Sequence, residues 1–550
     1  MSDVIPTDTL TTYDEIPYPS FSFPETHPDR LALLATLLGL NPAPVTACRV
    51  LELGCGAGGN LLPMAYVLPE SEFIGVDLAP TAIAYGKRVI DALGLTNVQM
   101  HHLDIMAVDE SFGQFDYIIA HGVFSWVPDF VREQMLHIAK VNLKPQGVAY
   151  ISYNAYPGWK VLGTVRDMML YHVRNTHDPD TRSLEARKLV NFLADVTPRT
   201  HLDDPSFQDA FANLVKAYWN HTRSRGDSIF LHDDLEENNQ PFYFHEFMAR
   251  AHKHGLQFLC EAQLSRSVPA NLPDEVAGML RKMSADVIEM EQYMDFLRNA
   301  TFRRTLLVHE GVEINRTLAP NPLLFERLYI GTKASPKGGD KLSETDIKGP
   351  NEVTFEVEET ATLGTNHPVS KAAMSLLWQA APGLMAFPEL LTQARTWVYG
   401  EGFEPDAERY ETDRMTLVSN LLRGYSYNDE LVQLRLFNPP AVYTVSEKPK
   451  ASALSRYQAQ QGEDYISNLR HDRVLLNPLH RYLLPYLDGR HTHEMLQALL
   501  ETLAADGSLQ VKKDTEGRSE VTDPEELRKV LHEELLATLQ HLADAGLFEG

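Results

Sequence analysis

The sequence predicts an α/β protein built on a doubly wound, mainly parallel sheet, and three features predict it. Arg49 to Gly59 reads R-V-L-E-L-G-C-G-A-G-G. Val50, Leu51 and Leu53 make a short apolar strand, and Gly54, Gly56, Gly58 and Gly59 make the turn that leaves it. Phe73-Ile74-Gly75-Val76-Asp77 is a second apolar strand ending in a carboxylate, about twenty residues downstream, where such folds place the acid that binds a ribose. Asn97 to His102, followed by Leu103-Asp104-Ile105, and Phe115 to Val123 supply a third and a fourth strand.

The elements follow in order. Leu31 to Leu40 is a short apolar helix that Gly39 and Pro42 help to end. Asn60 to Leu68 is the helix behind the glycine turn, with Pro63 tolerated in its first turn. Glycines permit a tight bend and close approach to a ligand, and the helix N-terminus favours a polar or anionic group. The glycines alone would suit a dinucleotide or another adenosyl cofactor equally. Lys144 to Tyr153 reads as a turn and a fifth strand, followed by an aromatic loop, Tyr153-Asn154-Ala155-Tyr156-Pro157-Gly158-Trp159.

Whole-chain properties exclude some classes. At 550 residues the chain is long enough for several domains. A net charge of −26, from 49 basic and 75 acidic residues, argues against a general nucleic-acid binder. That field favours cationic partners such as lysine-bearing segments, or serves solubility alone. Three cysteines, Cys48, Cys55 and Cys260, form neither a disulfide framework nor a metal-ligand cluster, so a reducing cytoplasm is the expected location. Met1 to Pro28 is polar, aromatic and proline-rich, unlike a signal peptide, and no apolar run approaches membrane-spanning length. His232, Asp233 and His245 match no familiar metal-ligand spacing, so no metal is expected.

The motifs E-L-G-C-G-A-G, G-V-D-L, L-D-I and F-D-Y-I-I-A-H-G-V-F-S-W occur in that order and resemble the class I S-adenosylmethionine-dependent methyltransferases. A dehydrogenase of related topology usually carries G-x-G-x-x-G, whereas here G-C-G-A-G-G follows Glu52. Lys144-Pro145-Gln146-Gly147 also matches that family's late core. The resemblance implies S-adenosyl-L-methionine as cofactor on a Rossmann-like sheet. Gly54, Gly56 and Gly58 would face its amino-acid end, with Glu52 orienting that loop or its ligand, or acting structurally. Asp77 would accept from two ribose hydroxyls, or cap a helix. Leu78 would cover one face of the adenine. Asp104 would accept from the adenine amino group beside Ile105, and Gly122 would contact the cofactor, as would His121 through its backbone or side chain unless it is a satisfied structural histidine. In the N-terminal arm, Tyr13 and Tyr18 would lie over the cofactor or pack the arm onto the core.

Aromatic walls suit an ammonium group through cation–π attraction. Trp126, Tyr153, Tyr156 and Trp159 are candidates for such walls, with core packing the alternative for each. Tyr153, Tyr18, Trp126 and Trp159 are expected to orient the acceptor. No general base is evident, and a nucleophile that arrives neutral needs mainly positioning and desolvation. The absence of N-P-P-Y or D-P-P-Y after the fourth strand disfavours a DNA-adenine or glutamine acceptor.

Residues 1–45 form the arm and 46–170 the cofactor-binding core. Residues 171–330 carry helix-spaced apolar residues over Leu184–Asp195, Ser206–Asn220 and Glu275–Asn299. Their H-D-D-L and N-Q-P-F-Y-F-H-E-F runs resemble the methyltransferase regulatory domain, as found in rickettsial methyltransferases that modify lysines of outer-membrane proteins. That resemblance covers roughly residues 10–310. It implies a lysine-bearing protein substrate, an outer-membrane or surface protein among them, and allows a homodimer. Residues 331–352 read as an exposed linker. Residues 353–465 read as a winged-helix-like α+β domain in which Gly424 stops a helix, and 466–550 as a terminal helical domain. No basic recognition helix stands out there, so protein recognition or dimer support is expected rather than DNA binding. The function expected is methyl transfer to a protein lysine ε-amine. The alternatives are a small-molecule N- or O-methyltransferase and a cofactor-binding regulator or scaffold.

Overall fold

Short apolar runs between helices pair side by side to bury both faces. In the computed structural model, which describes residues 18–197, 205–358, 361–402, 406–509 and 523–550, five of these form the parallel part of a central sheet. They are β1 (Arg49–Leu53), β2 (Glu72–Asp77), β3 (Val98–His102), β4 (Phe115–Ala120) and β5 (Leu143–Asn154). All six residues of β4 are buried, as expected for a strand covered on both sides. Val50 pairs with Phe73 on one side and Tyr117 on the other.

Two further strands, β6 (Leu256–Glu261) and β7 (Phe302–His309), complete the sheet, in the order β3-β2-β1-β4-β5-β7-β6. β7 runs antiparallel to β5 and β6 antiparallel to β7. The segment 171–330, read from sequence as helical, therefore supplies two strands of the sheet that holds the cofactor motifs. Its helices span Pro179–Val196, Pro205–Thr222, Asp227–Asp234, Phe244–Lys253, Asp274–Met283 and Val287–Arg298. The long helix expected over Glu275–Asn299 is two. Ser284 is extended, and Asp286 caps the second helix by accepting from the Ile288 and Glu289 amides.

Alternation along the strands divides the core. Val50, Tyr117 and Tyr150 face a cluster that continues through the arm helix Pro28–Leu37 into Phe325, Leu377, Leu421 and Leu434. Leu51, Ile118 and Tyr153 face a second cluster with Phe242, Phe247 and Phe258. One face of the sheet is thus continuous with the chain's middle third. The segment expected as an exposed linker is partly packed in. Ile347 is fully buried, and Lys371 Nζ donates to the carbonyls of Asp346, Gly349 and Asn351. Gly424 does not stop its helix, which runs from Ala407 to Tyr427. A Cβ at Gly424 would lie 2.6 Å from Val432 Cγ2, so this glycine serves a close approach.

The last unit has its own leucine-rich core over the helices Ala453–Gln460, Pro478–Leu483, His493–Ala505 and Pro524–Asp544. A hairpin, Tyr465–Ser467 with Arg473–Leu475, projects from it. The unit docks on the helices Leu61–Val67 and Pro80–Leu93. The Tyr66 hydroxyl donates to Glu549 at 2.7 Å, and the Tyr85 hydroxyl donates to Glu463 at 2.6 Å. Among the described residues no helix is long and apolar enough to cross a membrane.

Candidate active site

The strand order reverses between β1 and β4, and open α/β folds bind ligands at the carboxyl edge beside such a reversal. Gly54 opens the turn there with φ of +74°, and a Cβ on it would meet Val123 Cγ2 at 2.4 Å. The amides of Gly54 and Cys55 both donate to the Val76 carbonyl, clipping the turn to β2. Asp77 then spans the gap. Its Oδ2 accepts from the Gly56 amide at 2.8 Å and its Oδ1 from the Ala79 amide at 2.9 Å. The two amides fix the carboxylate at the end of β2 beside the glycine turn.

Asp77 pairs in register with His102, which places Leu78 and Leu103-Asp104-Ile105 at adjoining strand ends. Asp104 Oδ1 accepts from the Met106 amide at 2.9 Å, which fixes the half-exposed carboxylate at the head of a short turn. Leu78 and Ile105 are half-buried. Glu52 on β1 is buried and accepts from Asn60 Nδ2 at 2.7 Å. Burial pushes its carboxyl up to about 8, against the pull of that bond. Its Oε2 is buried with no protein partner.

The arm covers the other side. Ser20 Oγ accepts from the Gly59 amide at 2.7 Å, and the Phe23 amide donates to Asn60 Oδ1 at 3.0 Å. The Phe23 ring stacks on His121 with centroids 3.8 Å apart, and His121 Nδ1 meets the Tyr150 hydroxyl at 2.8 Å. Burial, then the Arg304 charge, lowers His121 to about 3, so it is neutral. The Gly122 amide donates to Ser152 Oγ, and a Cβ on Gly122 would have nothing within 4 Å. A Cβ on Gly56 would meet only Ser20 Oγ, at 3.9 Å. An adenosyl ligand with an amino-acid end fits this set, which offers open glycine faces, two carboxylates at adjacent strand ends and an unpaired buried Glu52 oxygen. Tyr13 lies outside the described residues.

The acceptor candidates separate. Trp126 and Trp159 meet edge to face at 6.4 Å, both half-buried. Tyr18 is exposed, lies edge-on to His232, and donates to Asp233 Oδ1 at 3.3 Å. Tyr156 sits beside Tyr243 at 5.2 Å, with Lys160 Nζ 5.2 Å from each ring. Tyr153 does not join them. It is 1% exposed, stacks on Phe247 at 4.2 Å and shares a hydrogen bond with Thr305 Oγ1. Its position on β5 turns it into the core beneath the strand ends, so the orienting role expected for it is withdrawn.

The segment with the N-Q-P-F run, expected from the resemblance to lie beside the active site, walls this edge. Asn238 Nδ2 donates to the Trp126 carbonyl, the Gln240 amide to the Ser125 carbonyl, and the Phe242 amide to the Asn154 carbonyl. Behind it, buried Arg303 is surrounded by Glu261, Glu291 and Asp295 at 3.4, 2.5 and 3.1 Å. Desolvation pushes Asp295 up to about 7 despite Arg303. This cluster ties the helix Val287–Arg298 to β6 and β7. Among the described residues no group of three His, Cys, Asp or Glu could hold a metal.

Three family models match the sequence. They are a methyltransferase domain over residues 45–180, a predicted methyltransferase regulatory domain over 226–309, and the C-terminal winged helix domain of PKMT over 447–547. The last spans the boundary drawn from sequence at residue 465. The Rickettsia prowazekii protein RP789 is 34% identical over 524 residues, which cover 94% of this chain and 90% of that protein. RP028 of the same organism is 38% identical over 248 residues, 45% of this chain and 96% of its own length. The structure of PKMT2 from Rickettsia typhi matches with a TM-score of 0.82 at 28% identity, covering 97% of this chain and 100% of that one. The same protein in complex with AdoHcy matches with a TM-score of 0.82 at 29% identity, over the same shares.

Proposed function

Because the chain belongs to the class I S-adenosylmethionine-dependent methyltransferases with a methyltransferase regulatory domain and a PKMT-type winged helix, we propose that it methylates the ε-amine of a protein lysine. The observation that carries the reading is the match to PKMT2 along 97% of this chain, since the core alone would serve many acceptors. The AdoHcy complex of that protein supports the same cofactor site here.

When bound, S-adenosylmethionine supplies an electrophilic methyl on a sulfonium. The residues at the sheet edge would hold it. Asp77 would accept from the ribose hydroxyls and Asp104 from the adenine amine, with Leu78 and Ile105 on the apolar ring faces. Glu52 Oε2 would meet the amino-acid end beside Gly54, Gly56 and Gly58, and His121 and Gly122 would line the same space. Trp126 and Trp159 would present ring faces to the incoming amine, and Tyr18 with Asp233 would flank its approach. A neutral amine lone pair forms the new N–C bond as the S–C bond breaks, and the proton leaves to solvent. The aromatic walls exclude water from the amine and keep it in line. Buried free thiols at Cys48, Cys55 and Cys260 suit a reducing cytoplasm.

The test is label tracing. Methyl-labelled cofactor is incubated with the chain and a cell extract split into protein and small-molecule fractions, with Asp77→Ala as control. Label on protein lysines is the expected result, and surface or outer-membrane proteins are the first acceptors to sort. Label confined to small molecules overturns the lysine reading. Cofactor binding with no label in either fraction indicates a regulator or scaffold.

A further inference from the structure

His471 sits at the tip of the C-terminal hairpin between Tyr465–Ser467 and Arg473–Leu475. It is 2% exposed, and its φ of +70° is uncommon for a residue other than glycine. Asn468 Oδ1 braces this turn by accepting from the Arg470 and Asp472 amides. The side chain reaches out of its own unit to Asn60, the residue that follows the glycine turn, with Nε2 2.9 Å from Asn60 Oδ1.

The orientation of Asn60 follows from its other partners. A backbone amide can only donate, so the atom facing the Phe23 N–H is the side-chain oxygen. Thr26 Oγ1 meets the same oxygen at 3.0 Å. The opposite end, Nδ2, then donates to Glu52 at 2.7 Å. His471 Nε2 faces that oxygen and must carry the hydrogen. Burial keeps the imidazole neutral by lowering it to about 3, and Nδ1 is buried without a partner. One amide, 4% exposed, thus joins the arm, the cofactor turn and the C-terminal unit.

We propose that the winged-helix unit is a working part of the cofactor site, with His471 acting as a positioning residue that holds Asn60 and, through it, the Glu52 carboxyl beneath the glycine turn. This rests on the reading that the turn holds S-adenosylmethionine. Without the His471 donor, Asn60 is held only from the arm side, by the Phe23 amide and Thr26, and its bond to Glu52, which aims the unpaired Oε2 at the ligand, is less firmly placed. The contacts of Tyr66 with Glu549 and Tyr85 with Glu463 dock the same unit without touching Asn60, which separates docking from positioning.

The experiment measures S-adenosylmethionine affinity by calorimetry on the full-length protein, with the melting temperature of each variant. His471→Leu is expected to weaken binding about tenfold, the size of one lost buried hydrogen bond. His471→Gln, whose amide nitrogen can stand where Nε2 stood, is expected to recover to within about threefold of the original. Tyr66→Phe is expected to bind as the unaltered chain does. The proposal is overturned if folded His471→Leu binds normally, or if His471→Gln is as weak as His471→Leu. If His471→Leu does not fold, His471→Asn replaces it. Its shorter amide should bind less tightly than Gln, and equal affinities overturn the proposal. An unaltered chain that binds no S-adenosylmethionine overturns the functional reading and this proposal together, whereas normal binding with an indifferent His471 overturns this one alone.

Discussion

The two ends of the cleft are built in different ways. The proposed cofactor end comes from consecutive strand ends between Glu52 and Gly122, and much of its geometry is backbone: the Val76 carbonyl clips the turn, and the Gly56 and Ala79 amides hold Asp77. The proposed acceptor end is assembled from four distant pieces: Tyr18 of the arm, Ser125-Trp126 after β4, Ala155 to Trp159 after β5, and Asp233 with Asn238 to Phe242. A site made by local chain geometry tolerates change around it. A site made by docking depends on whatever holds the pieces together.

That contrast can be broken at its hinge. Arg303→Met leaves Glu261, Glu291 and Asp295 buried around no cation, and is expected to cost about 3–5 kcal/mol of stability. Thermal and denaturant unfolding would measure it, and acceptor turnover should suffer before cofactor affinity. Unchanged stability would show that the acceptor wall does not depend on this cluster. At the cofactor end, Asp77→Ala removes acceptors for two hydroxyls and is expected to weaken cofactor binding about a hundredfold. Its circular dichroism spectrum should be unaltered. At the acceptor end, Trp126→Leu is expected to raise the KM for the protein acceptor about tenfold through lost cation–π attraction. Its cofactor affinity should stay within about twofold, and an equal loss of both would collapse the distinction between the two ends.

The smallest effect is a pH slope. Glu52 is raised by burial from 4.5 to about 8. The folded state therefore binds a proton that the unfolded state releases. The stabilisation is complete below the unfolded value, shrinks as pH rises between the two, and is gone above about 8. Between pH 6 and 7 the loss from this group alone is about 1 kcal/mol. Glu52→Gln should flatten the dependence of melting temperature on pH in that range, and an unchanged slope would show that Glu52 is not the group responsible.

Legibility followed the range of the interactions. The glycine turn, Asp77 at the end of β2 and the run of β4 could be read because strand periodicity and turn chemistry act over a few residues. Tyr153 could not be placed. In the sequence it opens an aromatic run with Tyr156 and Trp159, but it is still on β5, and only the packing of Phe247 shows that its face of the strand is covered. The helical pattern of 171–330 hid β6 and β7, since a strand that adds to an existing sheet takes its register from partners elsewhere in the chain.

The sequence by itself determined the family, the cofactor motifs and the positions of the first five strands along the chain, because these rest on local patterns that no distant contact needs to complete. The tertiary structure alone decided which aromatics are buried and which lie open at the strand ends, that the regulatory segment finishes the central sheet, and that Asn60 meets His471 across 411 positions. Hydrogen bonds and burial across such separations depend on how closed cores bring surfaces together, and a string of residues carries no local trace of that.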